Sequence, residues 1–581
     1  MNRKSIPILL FLLLAIAPAH AQTDPFEALL AEEWEESLRR DPVSASYLGE
    51  PRYNHLWPDL SAAALEKDYQ QDRRFLERLQ AIEPSAFSGQ RRTSYELFFK
   101  QLQWRLRAYE LGLHLVPLNQ REGIQHRYQL AENLSFDTED DYRDWIARLE
   151  SFPAHMDQTL ELMRQGIRRG VLHPRVIVER LPRQAEIQIV TEAEQSPYFD
   201  PFEKFPESFS ATLRTELAAA GRQAVLERVV PAHRKLAEFL RQEYLPASPE
   251  QPGWVHLPGG PERYAFLVER FTTTSLTPEE IHEIGLGEVA RIRRLMEEIV
   301  REVGFKGSFS EFLTFLREDS RFYYQDPDEL LKSYRALAKQ IDLQLVRLFR
   351  TLPRMPYGVE PIPEEVAPDT TTAYYMPPAA DGSRAGIYYV NLYRPESRPR
   401  YEMEVLSLHE AVPGHHLQIA LAMELEDLPP FRRYGEGYTA FVEGWALYAE
   451  SLGGDLGLYR DPYSRFGRLT YEMWRAVRLV VDTGIHHKGW SRDQAVRFFL
   501  ENTAKSKLDI DNEVDRYIAW PGQALAYKIG ELRIRQLRRE AEKALGERFD
   551  LREFHQVVLG SGAVPLDVLE SNVRSWLAAR R

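Results

Sequence analysis

A polar cluster inside an apolar stretch, residues 404–426, constrains this chain more than any other feature. Its centre reads LSLHEAVPGHHLQIAL, and four side chains that can bind a metal or exchange a proton fall within eight residues: His409, Glu410, His415 and His416. The flanking leucine, valine, isoleucine and alanine residues favour helix and predict burial. Because buried ionisable groups are costly without a partner, and because imidazoles and carboxylates bind divalent metals, this stretch predicts a buried metal site.

The first 21 residues are typical of a secretory signal peptide. A basic start with Arg3 and Lys4 precedes an apolar run at 6–17, and the sequence AHA at 19–21 fits cleavage after a small residue. The run is short for a membrane span, although an uncleaved N-terminal anchor is the alternative interpretation. We therefore expect an exported protein, periplasmic or secreted, with no membrane span in the mature chain.

Composition excludes several function classes. The chain has 581 residues, of which 44% are hydrophobic, and a net charge of −13, which argues against nucleic acid as the main partner. It contains no cysteine. This excludes disulfides, thiol catalysis, cysteine-ligated zinc and a lipid anchor on cysteine. A metal site in this chain must therefore use histidine, aspartate or glutamate.

Helical periodicity extends through most of the chain, so the sequence predicts a mainly α fold. Thr277-Pro278-Glu279-Glu280 predicts a helix start with a capping box between Thr277 and Glu280. The Pro- and Gly-rich stretch 246–262 is the clearest interruption. We place a boundary there, between an N-terminal helical region at 22–250 and a catalytic region at 263–581, which together can form one continuous helical fold. β-branched and aromatic residues at 370–393 predict two short strands joined by a loop. The histidine cluster follows directly and is predicted to lie on one helix, 402–427.

The spacing of the histidines departs from the common zinc-peptidase helix, in which two histidines at i and i+4 share one face and the glutamate between them activates water. Here position i+4 from His409 is Pro413. Pro413 removes a backbone donor and Gly414 tolerates unusual dihedrals, so a two-residue bulge would bring His415 to the second ligand position. Alternatively the helix continues, and His416 lies two turns along the same face. We favour His415 as the ligand and expect His416 either to orient a metal ligand from behind or to donate a hydrogen bond to an oxyanion.

The third ligand is expected from a neighbouring helix. In GEGYTAFVEGWALYAESL, Glu436, Glu443 and Glu450 are spaced by seven residues and lie nearly on one face. Glu443 has apolar neighbours on both sides, so we expect it to be the buried ligand. Glu450 is the candidate for a hydrogen bond that orients a ligand from behind. A solvated acidic stripe is the alternative interpretation of all three.

HEAVPGHH followed by EGWALYAE resembles a widespread bacterial family with a domain of unknown function, which bears an HExxPGHH motif and is regarded as a group of zinc peptidases. That family is distantly similar to gluzincin oligopeptidases and thermostable carboxypeptidases, which are nearly all-helical. Their shorter HExGH motif aligns with His409, Glu410, Gly414 and His415 if two residues are inserted. The resemblance covers most of the mature chain. It implies a large helical zincin-like fold with a small β hairpin or sheet before the metal-binding helix, but no particular substrate.

A second group of polar and aromatic residues surrounds a Pro-Gly turn in DRYIAWPGQALAYKIGEL: Arg516, Tyr517, Gln523, Tyr527 and Lys528. Aromatic packing around an ordinary helical turn is the alternative explanation. The resemblance favours a functional one, because related peptidases place a tyrosine hydroxyl against the transition-state oxyanion. We therefore expect Tyr517 or His416 at the oxyanion and Arg516 on a substrate carboxylate, with Gln523 and Tyr527 also contacting substrate.

The predicted strand GIYYVNLY lies shortly before the histidine cluster. As an edge strand it would pair with an extended peptide, and Tyr389 and Asn391 would contact that peptide. A purely structural hairpin is the alternative.

Together these features predict an exported zinc peptidase that acts on short or unfolded peptides. One Zn²⁺ is expected on His409, His415 and Glu443, and Glu410 would take a proton from water and pass it to the leaving amine. The alternatives are a metal-dependent amidase with a non-peptide substrate, an exported metal- or peptide-binding protein without turnover, and a helical scaffold whose histidines satisfy one another. A pure binder has no need of a carboxylate beside the first ligand, so Glu410 favours an enzyme.

Overall fold

The computed structural model describes residues 24–364, 367, 371–380, 382, 384–435, 437–505 and 507–580. The predicted signal peptide, residues 1–21, lies outside this set, as does Glu436. Helix predominates and is accompanied by a small sheet, so the predicted mainly α fold is confirmed. None of the described helices combines the length and the apolar character that a bilayer span requires.

The N-terminal region is a series of helices whose starts follow from local sequence. Asp24 caps the first helix by accepting hydrogen bonds from two backbone amides, and Pro25 occupies the first helical position. π-helical turns at Val225–Val229 and Leu240–Tyr244 join the last three helices. The helices are α1 Pro25–Arg40, α2 Pro42–Tyr47, α3 Ala62–Gln80, α4 Gly89–Glu110, α5 Glu139–Arg169, α6 Arg175–Val178, α7 Leu181–Ile187, α8 Ala211–Ala224, α9 Val230–Phe239 and α10 Leu245–Ala247.

The C-terminal region is also helical, apart from one sheet. The predicted helix start at Thr277 is confirmed: Thr277 and Glu280 form a capping box in which each side chain accepts the other residue's amide hydrogen. The helices are α11 Gly260–Thr272, α12 Pro278–Glu302, α13 Phe309–Glu318, α14 Pro327–Asp342, α15 Met403–Glu410, α16 His415–Met423, α17 Pro430–Arg433, α18 Thr439–Ser451, α19 Pro462–His486, α20 Arg492–Asn502, α21 Lys507–Ala519, α22 Ala526–Leu545, α23 Leu551–Leu559 and α24 Leu566–Ala578.

The sheet has the strand order β1-β3-β2, with β1 at Tyr357–Pro361, β2 at Ala373–Met376 and β3 at Gly386–Val390. β2 and β3 are antiparallel and form the predicted hairpin, whereas β1 pairs in parallel with β3 and was not predicted. β3 is therefore the central strand, and the edges of the sheet belong to β1 and β2.

Two of the apolar cores explain how the two regions pack. One core lies within the N-terminal region, between α5, α7, α8 and α9, and includes Trp145 and Leu236. The other core joins α1, α3 and α4 to the sheet and to α15, α16, α18 and α22, and includes Phe26 and Trp445. In the C-terminal region α12 packs along α19, and α18 packs along α22. The first N-terminal helices are therefore built into the core that carries the histidine cluster.

Candidate metal centre

The histidine cluster lies where one helix ends and another begins. α15 ends at Glu410 and α16 begins at His415, so the predicted single helix 402–427, favoured with a bulge at Pro413-Gly414, is in fact two helices. Only glycine fits at position 414, because a Cβ there would lie 1.9 Å from the carbonyl oxygen of His409. The carbonyl of Pro413 accepts a hydrogen bond of 2.8 Å from the indole of Trp445 on α18. The chain is thus turned back so that the ring centroids of His409 and His415 lie 4.8 Å apart, nearly perpendicular.

Glu443 on α18 completes a three-residue group with these histidines. One donor atom from each of His409, His415 and Glu443 lies within 4.8 Å of the other two, and we call this group the His–Glu centre. Oε2 of Glu443 is 3.6 Å from Nε2 of His409 and 3.5 Å from Nε2 of His415, distances too long for good hydrogen bonds. The side chains of His415 and Glu443 are 12% and 18% exposed, so the centre is open on one side.

Glu450 supports the centre from behind. Its Oε1 lies 2.8 Å from Nδ1 of His409, which leaves Nε2 of that histidine for the centre. Burial alone would lower the pKa of His409, but the carboxylates of Glu443 and Glu450 outweigh burial and raise it to about 9. In the metal-free chain, the negative charge beside His409 is therefore balanced by a proton on its ring.

Two glycines bring a tyrosine to the centre. A Cβ on Gly444 of α18 would lie 2.6 Å from Cα of Gly530 on α22, so the two helices meet at backbone contact. Tyr527 lies about one turn before Gly530, and Glu443 directly precedes Gly444. Burial and the negative charge of Glu443 both raise the pKa of the half-buried Tyr527 hydroxyl. Tyr527 is therefore the tyrosine of the predicted turn that faces the centre.

Tyr517, the predicted oxyanion donor, has a different environment. It is fully buried, and its hydroxyl donates to Glu513 at 2.7 Å and accepts from Nε of Arg478 at 2.9 Å. Arg516, predicted to hold a substrate carboxylate, donates to Glu513 at 3.0 Å and to Gln523 at 2.7 Å. Tyr527 therefore faces the centre, the hydroxyl of Tyr517 is used by interior hydrogen bonds, and Arg516 and Gln523 are hydrogen-bonded to each other.

His416 points away from the centre. Its Nδ1 lies 2.8 Å from the hydroxyl of Tyr375 on β2, and its Nε2 lies 3.1 Å from the carbonyl oxygen of Met355. Burial lowers the pKa of His416 to about 4, so its ring is neutral near pH 7. With both nitrogens engaged, His416 joins α16 to the sheet, and its predicted role at the oxyanion is not supported.

Glu410 is the last residue of α15 and follows His409 directly. Within the described residues, no hydrogen bond or ion pair holds its half-buried carboxylate. The negative charge of Glu410 acts on His409 and on the buried hydroxyl of Tyr388 on β3. Its carboxylate therefore lies near the centre with its acceptor atoms unused by the described residues.

The predicted substrate contacts on the strand GIYYVNLY are corrected by the sheet order. That strand is β3, which is paired on both sides and offers no free edge to a peptide. Tyr389 stacks on Tyr374 of β2 at 4.9 Å. Asn391 is buried, and its amide donates to the carbonyl oxygens of Ala367 and Thr371. Asn391 therefore holds a loop, and the edge strand that packs against α15 is β2.

Charged residues of α19 also surround the site, and motif analysis missed them. Arg475 lies 3.5 Å from Glu450, and the guanidinium carbon of Arg478 lies 4.5 Å from the centroid of the Tyr527 ring. The signal that marks them is periodicity: Glu472, Arg475, Arg478 and Asp482 recur every three or four residues in an otherwise largely apolar helix.

Comparison with known proteins identifies similar chains but no activity. The family described as "bacterial protein of unknown function (DUF885)" matches residues 42–573. A crystal structure of a candidate lipoprotein from Colwellia psychrerythraea is 31% identical, with a TM-score of 0.91 over 95% of this chain and 99% of that chain. The structure of a candidate lipoprotein of unknown function from Shewanella oneidensis is 17% identical, with a TM-score of 0.73 over 94% and 99%, and shows similarity of fold alone. No curated protein matches the sequence.

Proposed function

We propose a zinc peptidase function for this chain, which belongs to the DUF885 family of bacterial proteins. The observation that carries the proposal is the convergence of His409, His415 and Glu443. Oε2 of Glu443 is buried and has no hydrogen-bond partner within the described residues. A buried acceptor without a donor is costly, and a cation bound there would remove that cost. Two imidazoles and one carboxylate form a donor set that fits catalytic zinc.

Apart from what zinc supplies, each role in the proposed reaction belongs to a side chain of this chain. Zinc, when bound, supplies Lewis-acid polarisation of a substrate carbonyl. Glu410 accepts a proton from the attacking water and donates it to the leaving nitrogen. Tyr527 donates a hydrogen bond to the carbonyl oxygen as that oxygen gains negative charge. Glu450 holds Nδ1 of His409 and thereby directs Nε2 toward the centre.

Short or unfolded peptides are the proposed substrates. Side chains of the centre are at most 18% exposed, so a scissile bond must reach inward as part of a narrow, extended segment. β2 is an edge strand beside α15, where such a segment can add to the sheet through main-chain hydrogen bonds. The signal-like sequence at 1–21 and the similarity to a candidate lipoprotein support export of the chain.

The test compares Glu410→Gln with the unaltered chain. We expect the zinc-loaded protein to cut members of a mixed peptide library, read by mass spectrometry. Glu410→Gln should keep its zinc, measured by atomic emission, and lose about 10²- to 10⁴-fold in kcat, because the amide cannot accept the proton of water.

Glu404→Gln is the matched control, since Glu404 lies on the same helix and accepts a hydrogen bond from the amide of Tyr459. It should retain both zinc and activity. Full activity in Glu410→Gln would reject the assigned mechanism. A protein that binds zinc but cuts no library member would instead support metal binding without turnover.

A further inference from the structure

Arginines from three parts of the chain add positive charge near a single carboxylate beside Tyr527. Glu513 accepts from Arg478 at 3.1 Å and from Arg516 at 3.0 Å, both on Oε2. Arg121, from the loop between α4 and α5, lies within electrostatic reach of the same three residues. Two guanidinium groups thus contact one glutamate, and a third adds positive charge nearby. Asp482, which also influences Arg516, is hydrogen-bonded by Tyr264 and by the amide of Gly522 instead.

The pairing within this arginine cluster is incomplete. Nη1 of Arg478 and Nε of Arg516 are buried and make no hydrogen bond within the described residues. Buried N–H groups of a guanidinium are costly when unpaired, more so where positive charge is in excess. An anion that contacts the cluster would supply both the missing acceptor and the missing charge.

The cluster lies one aromatic ring away from the His–Glu centre. The guanidinium carbon of Arg478 is 4.5 Å from the centroid of Tyr527, and the hydroxyl of Tyr527 interacts with Glu443. An extended peptide advances about 3.5 Å per residue. A group one or two residues beyond a scissile bond at the centre would therefore reach the arginines.

We infer that Arg121, Arg478 and Arg516 form a subsite that binds a peptide carboxylate one or two residues from the scissile bond. The inference rests on the proposed peptidase function and names its substrate class. Arg121 is the exposed member, so a ligand first meets the cluster there. Arg478 and Arg516 are held by Glu513 in fixed positions, which favours bidentate binding of a carboxylate. That carboxylate is either the free C-terminus of a short peptide or an acidic side chain.

Three matched peptides separate these sources. The first ends in a free carboxylate, the second ends in an amide, and the third ends in an amide but carries one glutamate near that end. Binding to zinc-supplemented Glu410→Gln protein is measured by calorimetry, so that no turnover is needed, and kcat/KM is measured on the unaltered chain. We expect the free acid to bind about 10- to 100-fold more tightly than the plain amide, the range of a charge-assisted contact. If the third peptide matches the acid, the carboxylate comes from a side chain.

Variants assign the preference to the cluster. Arg121→Gln, on an exposed loop, should reduce the preference for a carboxylate several-fold, and Arg478→Lys should reduce it further because a lysine cannot bind in a bidentate manner. Arg180→Gln, an exposed arginine that pairs with Asp515 on α21, is the control and should change nothing. Equal binding of all three peptides would overturn the subsite, even if all are cut. A carboxylate preference in binding without any cleavage would instead reject the peptidase function and leave the subsite standing.

Discussion

Two neighbouring residues of α22, Tyr527 and Lys528, lie in buried clusters that differ in how completely their polar groups are paired. The ammonium of Lys528 lies 3.0 Å from Glu472, 2.9 Å from Glu531 and 3.1 Å from Glu288. The other cations that share these carboxylates are Arg291, Arg468 and Arg535. Each buried charge of this cluster has partners of opposite sign, which is the condition for keeping ions inside a protein.

The His–Glu centre, which Tyr527 faces, differs because some of its buried acceptor atoms have no hydrogen-bond donor in the part of the chain that the structure describes. Within the described residues, Oε2 of Glu443 and Oε2 of Glu450 are buried without a hydrogen-bond partner. Such atoms reduce stability in the free chain and are explained when a ligand satisfies them. The comparison indicates that the Lys528 cluster holds α12, α19 and α22 together. The His–Glu centre, by contrast, has unpaired acceptor atoms among its described residues, and a ligand can satisfy them. Substitutions on α22 should therefore separate stability from activity.

The largest expected effect is the loss of stability in Lys528→Met. The substitution removes the cation shared by three carboxylates and leaves them buried with fewer partners, at a cost of about 3–5 kcal/mol in the free energy of unfolding. Denaturant unfolding of the metal-free chain measures it. Well below the unfolding transition, zinc binding should be unchanged.

Lys488→Met is the matched control, because Lys488 is partly exposed and pairs with Glu279 at the surface. Its expected cost is below about 1 kcal/mol. Equal effects of the two substitutions would show that the Lys528 cluster contributes no more than a surface ion pair.

The next effect concerns catalysis rather than stability. Tyr527→Phe removes the hydroxyl assigned to the oxyanion and should lower kcat by about 10²- to 10³-fold, while unfolding changes little because the ring remains. Steady-state kinetics on a peptide cut by the unaltered chain measures this loss.

Tyr517→Phe should behave in the opposite way. Its hydroxyl bonds to Glu513 and Arg478 in the interior, so its loss leaves buried partners unsatisfied and costs about 1–3 kcal/mol of stability. We expect kcat to fall much less than in Tyr527→Phe. If Tyr517→Phe has the larger effect on kcat, the oxyanion assignment returns to Tyr517.

Local sequence rules predicted the parts of the fold that local interactions determine. The capping box at Thr277 and the β2–β3 hairpin are examples, since each depends on residues close in sequence. β1 was missed because YGVEP contains glycine and proline, and because its partner β3 is distant in sequence. The prediction of a single helix over 402–427 was wrong at Gly414. There the backbone turns and lies against the carbonyl oxygen of His409, a contact that exists only in the folded chain.

The same limit applies to the site. Motif spacing led to His409, His415 and Glu443, which the fold brings together. It placed Tyr517 at the oxyanion and Tyr527 on substrate, because no motif reveals the contact between Gly444 and Gly530, which decides which face of α22 meets α18. Arg478 was missed for a related reason: it belongs to no short motif, and only the packing of α19 brings it to Tyr527.

The smallest expected effect is a pH dependence of stability that arises from one buried acid, Asp482. Asp482 accepts hydrogen bonds from Tyr264 at 2.6 Å and from the amide of Gly522 at 3.1 Å. Burial raises the pKa of Asp482 to about 7, although these hydrogen bonds oppose the rise. The folded state therefore favours the neutral acid. The stability that the neutral Asp482 contributes is complete below the unfolded pKa and is lost as pH rises through about 7.

Between pH 5 and pH 8 the unaltered chain should lose about 2 kcal/mol of unfolding free energy relative to Asp482→Asn, which cannot ionise. Denaturant unfolding at several pH values measures both profiles, and parallel profiles would mean that Asp482 keeps an ordinary pKa in the fold.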